Sequence, residues 1–200
     1  MHDRNPVTPL TPLAKKLRTL PPSLGPTRLI AIDGHAGSGK TTFAARLAQA
    51  LGDDTPVLHL DDLATHDELF EWTDRLTRWV LDPLSRGETA HYRTYDWVTR
   101  RFDEEGELPP APVVLLEGVG AGRRALRPHL ACLLWMELPR EDSWDRGQLR
   151  DGPEQADFWD GWMRAEHAHF AADPTRPYAE LLVYQGDMGY EWLPGPHVTD

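Results

Sequence analysis

One cysteine, Cys132, stands in 200 residues, which excludes an intramolecular disulfide framework; its place inside the apolar run 131–136 marks a buried thiol rather than a nucleophile. Positive charge is scarce: 21 Lys and Arg face 32 Asp and Glu, a formal net charge of -11. Surfaces that displace phosphate counterions carry clustered cations, so polymeric nucleic acid is not an expected partner. Long apolar runs are missing too. The longest, 113–116 and 131–136, are strand-sized beside the roughly 20 residues of a membrane helix, and no secretory apolar core follows Met1. The expectation is a soluble, cytoplasmic protein with no membrane association. Asparagine occurs only at Asn5, so the Asn-Lys-x-Asp base reader of a GTPase is absent. Of the nine histidines, His167 and His169 are two apart on an expected helix and face different ways, which argues against a zinc centre.

What is present starts at residue 34. Gly34-His35-Ala36-Gly37-Ser38-Gly39-Lys40-Thr41 is a complete G-x-x-x-x-G-K-[ST] phosphate loop, placed where the apolar run 29–32 stops and a helical pattern begins. Its glycines let successive N–H groups converge on phosphate oxygens, and the following helix turns its positive end toward the same anion. Gly34 through Thr42 are thus the expected nucleotide-binding residues. Lys40 can reach the β- and γ-phosphates, and the Thr41 hydroxyl can ligate Mg²⁺. An acidic chain can still bind ATP, because local dipoles and a few cations govern the potential there.

The length fits one α/β domain with helices on both faces of a sheet. Residues 1–27, rich in proline, read as an appended arm holding a short helical turn; 28–200 form the domain, with a lid at about 140–152. Phe43, Leu47 and Leu51 at spacing four predict a helix stopped by Gly52. Strands are expected at 57–60, 113–116, 133–136 and 181–183. Leu69, Trp72, Leu76, Trp79 and Val80 predict a core-facing helix over about 66–81, closed by Pro83. Residues 88–108 read as a loop or hairpin over the sheet, and Phe158 to Phe170 as another helix. Strands alternating with helices predict a parallel sheet whose ligands sit at the carboxyl ends of the strands.

Three polar groups fall at those ends: the phosphate loop, Asp61-Asp62 and Glu117. Phosphoryl transfer to a hydroxyl needs an acceptor for its proton, and Asp61, first beyond the apolar strand, is the expected base, with Asp62 the second choice. Helix capping is the alternative use of this pair. Glu117 follows four aliphatic residues as a Walker-B-type acid able to hold Mg²⁺; pairing with an arginine is its plainer alternative. Arg146 and Arg150 share a helical face and could close over phosphates, or form a solvated basic face. Gly147 and Gly152 around them suit a segment that moves. Tyr92, Tyr95 and Trp97 are either acceptor-binding or a hydrophobic cover.

The residues 30–34 through 43, His59-Leu60-Asp61-Asp62, Tyr95-Asp96-Trp97, Leu115-Leu116-Glu117-Gly118, Arg146 with Arg150-Asp151, and Thr175-Arg176 before Ala179-Glu180 together resemble the uridine kinase family of P-loop kinases, especially its short bacterial members. The resemblance implies a P-loop NTPase fold with a five-stranded parallel sheet, ATP and Mg²⁺, and transfer of the γ-phosphate to a nucleoside hydroxyl. It assigns the base to Asp61 and nucleoside contact to Tyr95. Leu63-Ala64 stand where Phe-Tyr is usual, Ser143 where the lid commonly has Arg, and Arg100 where His is usual. Arg100 is therefore a candidate reader of a negatively charged or differently shaped acceptor. A kinase of another small hydroxylated metabolite, and a P-loop ATPase without an acceptor, remain as alternatives, and a homo-oligomer stays open.

Overall fold

The computed structural model describes residues 10–52, 54–187 and 189–197. In chain order the helices are α1 (Thr11–Arg18), α2 (Lys40–Leu51), α3 (Thr73–Leu76), α4 (Asp82–Ser85), α5 (Arg140–Asp151) and α6 (Ala156–Ala172). The strands are β1 (Arg28–Asp33), β2 (Val57–His59), β3 (Ala90–Asp96), β4 (Arg101–Leu108), β5 (Val113–Glu117), β6 (Cys132–Met136), β7 (Leu181–Gly186) and β8 (Gly189–Pro194).

The main sheet runs β2-β5-β1-β6-β7-β8. Its first five strands are parallel, as expected, and β8 adds an antiparallel edge. The apolar run 181–183 gave no sign of this hairpin because the strands extend into mixed-polarity sequence. Tyr190 secures β8, its ring 4.9 Å from that of Phe43. Parallel strands buried on both faces read as continuous apolar runs, but side chains still alternate. Ile30 and Ile32 enter one core with Phe43, Leu47 and Leu134, whereas Leu29 and Ala31 enter the other with Trp72, Leu76 and Leu116. Register brings Ile32 of β1 and His59 of β2 level with Glu117 of β5, so three strands end together.

Two expectations change and a third is narrowed. Residues 1–9 of the expected arm lie outside the described residues, but residues 11–18 are no appendage: α1 buries Leu13, Ala14 and Leu17 completely in the core that α2 shares. Proline at the first turn of α1 costs nothing there, because that N–H has no helical partner. The helix expected over 66–81 begins at Thr73 and runs through Pro83 into α4. A π-turn at Thr77–Leu81 widens the helix just before the proline, giving the ring room where an α-helical carbonyl would clash. Trp72 from this region is buried, and Trp79 packs against the same core half-buried. Residues 88–108 resolve as the β3–β4 hairpin, with a register shift between Thr94 and Tyr95.

Candidate phosphate and acceptor site

The glycine loop spans the end of β1 and the start of α2. Asp33, buried at the tip of β1, accepts the N–H groups of Gly34 (2.7 Å), Gly120 (2.9 Å) and Gly122 (2.9 Å), tying this loop to the one after β5. Gly39 caps α2 at φ +92°, a conformation costly for any residue with a Cβ. Gly37 is needed for space as well: a Cβ there would lie 1.9 Å from the Ser143 carbonyl oxygen of α5. Lys40 donates through Nζ to the carbonyls of Gly34 (3.0 Å) and His35 (2.9 Å).

A cavity of about 360 Å³ opens above this loop. Its walls unite Ala36, Gly37, Gly39, Lys40, Thr41 and Thr42 with Asp61, Glu117, Arg146 and Arg150. Gly34 and His35 do not line it. Ser38 lines a neighbouring cavity of about 230 Å³ with Arg146 and Gln185. Glu117 is buried and accepts from His59 Nδ1 at 2.6 Å and from Thr41 Oγ1 at 3.3 Å, so its partner is a histidine and not an arginine. That hydrogen bond raises the His59 pKa above its ordinary 6.5 against the opposing cost of burial.

Asp61 stands in the 3-10 turn Leu60–Asp62, directly after β2. Its side chain faces the open cleft while protein crowds it elsewhere. Desolvation, then repulsion from Glu117, raises its pKa above the usual carboxylate value, with Lys40 pulling the other way. Asp62 is raised as well, by desolvation first.

A second cavity of about 470 Å³ adjoins the first, and Ala36, Asp61, Arg150 and Trp162 belong to both walls. Its remaining walls are mainly aromatic: His66, Trp97, Phe158 and Trp159. Trp97 donates its Nε1–H to the Asp61 carbonyl at 3.1 Å, anchoring the hairpin to the turn that carries the acid. Tyr95 stands behind, hydrogen-bonded to His66 at 3.0 Å and packed edge-on against Trp97 and Phe102. Tyr92 is not brought to this cleft. It packs over Gly106 and faces a separate cavity with Trp79 on the hairpin's flank. Arg100 also lies outside both walls, exposed in the hairpin turn at φ +56°, where its N–H closes the turn onto the Asp96 carbonyl at 2.8 Å.

Arg146 and Arg150 share α5, and Arg150 pairs with Asp151, whose carboxylate also accepts Trp159 Nε1–H at 3.1 Å. Gly147 is a packing residue, not a hinge: a Cβ there would fall 2.3 Å from the Trp159 ring. Sequence reasoning missed Asp33, Glu166 and the aromatic walls contributed by α6. Glu166 had one signal, a lone acid four residues after Trp162 on a face otherwise apolar.

Curated relatives match four-fifths of the chain. A uridine kinase of Borrelia hermsii (strain HS1 / DAH) is 24% identical over 182 aligned positions, covering 80% of this chain and 87% of its own length. A uridine kinase of Deinococcus deserti (strain DSM 17065 / CIP 109153 / LMG 22923 / VCD115) is 27% identical over 186, covering 80% and 88%. No family model matches. Among solved structures, a possible uridine kinase from Bacillus stearothermophilus superposes with a TM-score of 0.54 at 21% identity, covering 74% of this chain and 87% of that one. The chain is thus similar to uridine kinase-like P-loop kinases, which supports an ATP-dependent phosphotransferase with a hydroxyl acceptor. A protein described as a fructose transport system kinase, from Silicibacter sp. TM1040, shares the fold with a TM-score of 0.55 at 21% identity, over 82% of this chain and 89% of that one. The kinase's expected fold class therefore stands: an α/β P-loop architecture with a mostly parallel sheet. No helix among the described residues is long and apolar enough to cross a membrane.

Proposed function

We propose that this kinase transfers the γ-phosphate of ATP to a hydroxyl of a nucleoside, with Asp61 as the base. The observation that carries the reading is the shared wall: Asp61 and Arg150 line both the glycine-loop cavity and the aromatic cavity. A triphosphate in the first and a ring-bearing alcohol in the second would meet at Asp61. The acceptor oxygen forms its bond to the γ-phosphorus, the bond from that phosphorus to the bridging oxygen breaks, and ADP leaves. The hydroxyl proton passes to an Asp61 carboxylate oxygen, for which a raised pKa is an advantage. Lys40, Arg146 and Arg150 offset charge on the transferring group.

Thr41 Oγ1 and Glu117 Oε2 lie 3.3 Å apart on the wall of the glycine-loop cavity, a pair of hard oxygen donors that fits Mg²⁺. When bound there, the ion would neutralise charge on the β- and γ-phosphate oxygens. Ser38, Arg146 and Gln185 around the neighbouring cavity suit the remainder of the nucleotide.

Trp97, Phe158 and Trp162 offer broad apolar faces on which the base ring of a nucleoside can stack. The fructose-named neighbour supports a sugar as the second reading. ADP release measured with Mg-ATP against a panel of nucleosides and fructose separates them. Release that depends on a nucleoside supports the proposal, and release that depends only on fructose selects the second reading. Hydrolysis indifferent to every acceptor refutes both.

A further inference from the structure

Glu166, in the middle of α6, is a carboxylate with no solvent exposure and no part in the chemistry described above. Four N–H donors converge on its two oxygens. His35 Nδ1 lies 2.7 Å and Trp144 Nε1 3.1 Å from Oε1. The Ala36 backbone N lies 3.0 Å and Trp162 Nε1 2.9 Å from Oε2. Burial by itself would raise this carboxyl's pKa, but the bonds from His35, Ala36 and Trp162 outweigh it, and the group is held below the usual range. A buried charge is tolerated when donors saturate it, as they do here.

The four donors come from three parts of the site. His35 and Ala36 belong to the glycine loop, Trp144 to the helix that carries Arg146 and Arg150, and Trp162 to the wall common to both cavities. Two close approaches support the same junction: Gly37 against the Ser143 carbonyl, and Gly147 against Trp159. The Ala36 N–H is engaged by the carboxylate, so the loop is fixed at this point while Gly37, Gly39 and Lys40 line the phosphate cavity.

We infer that Glu166 is a positioning residue: it holds the glycine loop, the arginine-bearing helix α5 and the Trp162 wall in one register, so that nucleotide affinity depends on its carboxylate. The inference rests on the reading of the glycine loop as the nucleotide site. Glutamine cannot replace it. In either orientation its NH₂ group would face two N–H donors and leave them without an acceptor.

The test titrates Mg-ADP calorimetrically into the full-length protein, the Glu166→Gln variant, and the single-donor variants Trp144→Phe and Trp162→Phe. Glu166→Gln is expected to weaken Kd about tenfold or more with stoichiometry unchanged, the scale set by buried donors left unsatisfied. Each Trp→Phe variant is expected to weaken it severalfold, and these two decide the matter if Glu166→Gln does not fold. An unaltered Kd in the folded variants, with only stoichiometry or Tm reduced, overturns the inference and makes Glu166 a purely structural group. Failure of the unsubstituted protein to bind Mg-ADP is a different result: it removes the nucleotide site itself, and the role of Glu166 with it.

Discussion

Replacing Leu17 by alanine tests whether α1 belongs to the kinase core. Leu17 has no solvent exposure and packs in the core built by Phe43, Leu47 and the strands, as do Leu13 and Ala14. The substitution removes three carbons, about 2.4 kcal/mol at ~0.8 kcal/mol per buried CH₂. The vacated space adds a cavity term, so the full cost of a buried Leu→Ala change is about 2–5 kcal/mol. For a chain of this size each kcal/mol lowers Tm by about 2–4 °C, which places the shift at roughly 4–20 °C. Thermal and urea unfolding followed by tryptophan fluorescence measure it, with an unchanged urea m-value showing that stability alone has moved. At temperatures below the unfolding transition, KM for ATP should be unaltered, because Leu17 lines neither cavity. A loss under about 0.5 kcal/mol, the scale of an exposed substitution, would refute the reasoning and return residues 11–18 to the status of an appended arm.

Other outcomes follow from the site. Asp61→Asn should lower turnover by roughly 10²- to 10⁴-fold while Mg-ADP binding stays measurable, and undiminished turnover would remove the base assignment. Because the Asp61 pKa is raised above 3.8, activity should fall with decreasing pH before an ordinary aspartate would protonate, and the residual rate of Asp61→Asn should be flat over that interval. His59 has a folded pKa above its ordinary 6.5, so its pairing with Glu117 stabilises fully below about that value and is lost as pH rises through the folded pKa. The Tm difference between the unsubstituted protein and His59→Gln should accordingly shrink from pH 6 toward alkaline pH; a difference that grows would contradict the pairing. Gly147→Ala gains about 1 kcal/mol of helix propensity but forces a Cβ to 2.3 Å from the Trp159 ring, an overpacking cost of about 1–3 kcal/mol. The expected net is a small loss of Tm and a higher acceptor KM, since Trp159 walls the aromatic cavity; a clear gain of Tm with KM unaltered would restore the hinge reading.

Most strands, and the loop between β1 and α2, were legible because their signals are local. An apolar run of four to six residues followed by Gly34 or by an acid is enough to mark a buried strand and its functional end. Asp61, Glu117, Lys40, Thr41, Arg146 and Arg150 fell on one cavity wall as their positions at strand ends and on a helix face implied. Tyr92 and Arg100 did not reach that wall. Alternation along β3 sends Tyr92 to the hairpin's flank, and Arg100 is used to close the turn. Apolar spacing does not reveal the helix start at Thr73, because it continues through the half-buried Leu69 and the buried Trp72 on a non-helical segment. Pro83 was misread because a π-turn made it compatible with a helix interior.

By itself the sequence determined the chemistry that neighbouring residues encode: a glycine loop that curls because its backbone can take positive φ, a helix that begins at Lys40, and acids placed where apolar strands stop. Only the tertiary structure decided what stands between distant segments. It seated α1 in the core, gave Gly147 its packing role, set an aromatic cavity beside the phosphate loop with Asp61 in both walls, and brought Glu166 to His35 across 131 residues of chain. Backbone conformation is fixed within a few residues, whereas a buried carboxylate is tolerated only where folding delivers its donors.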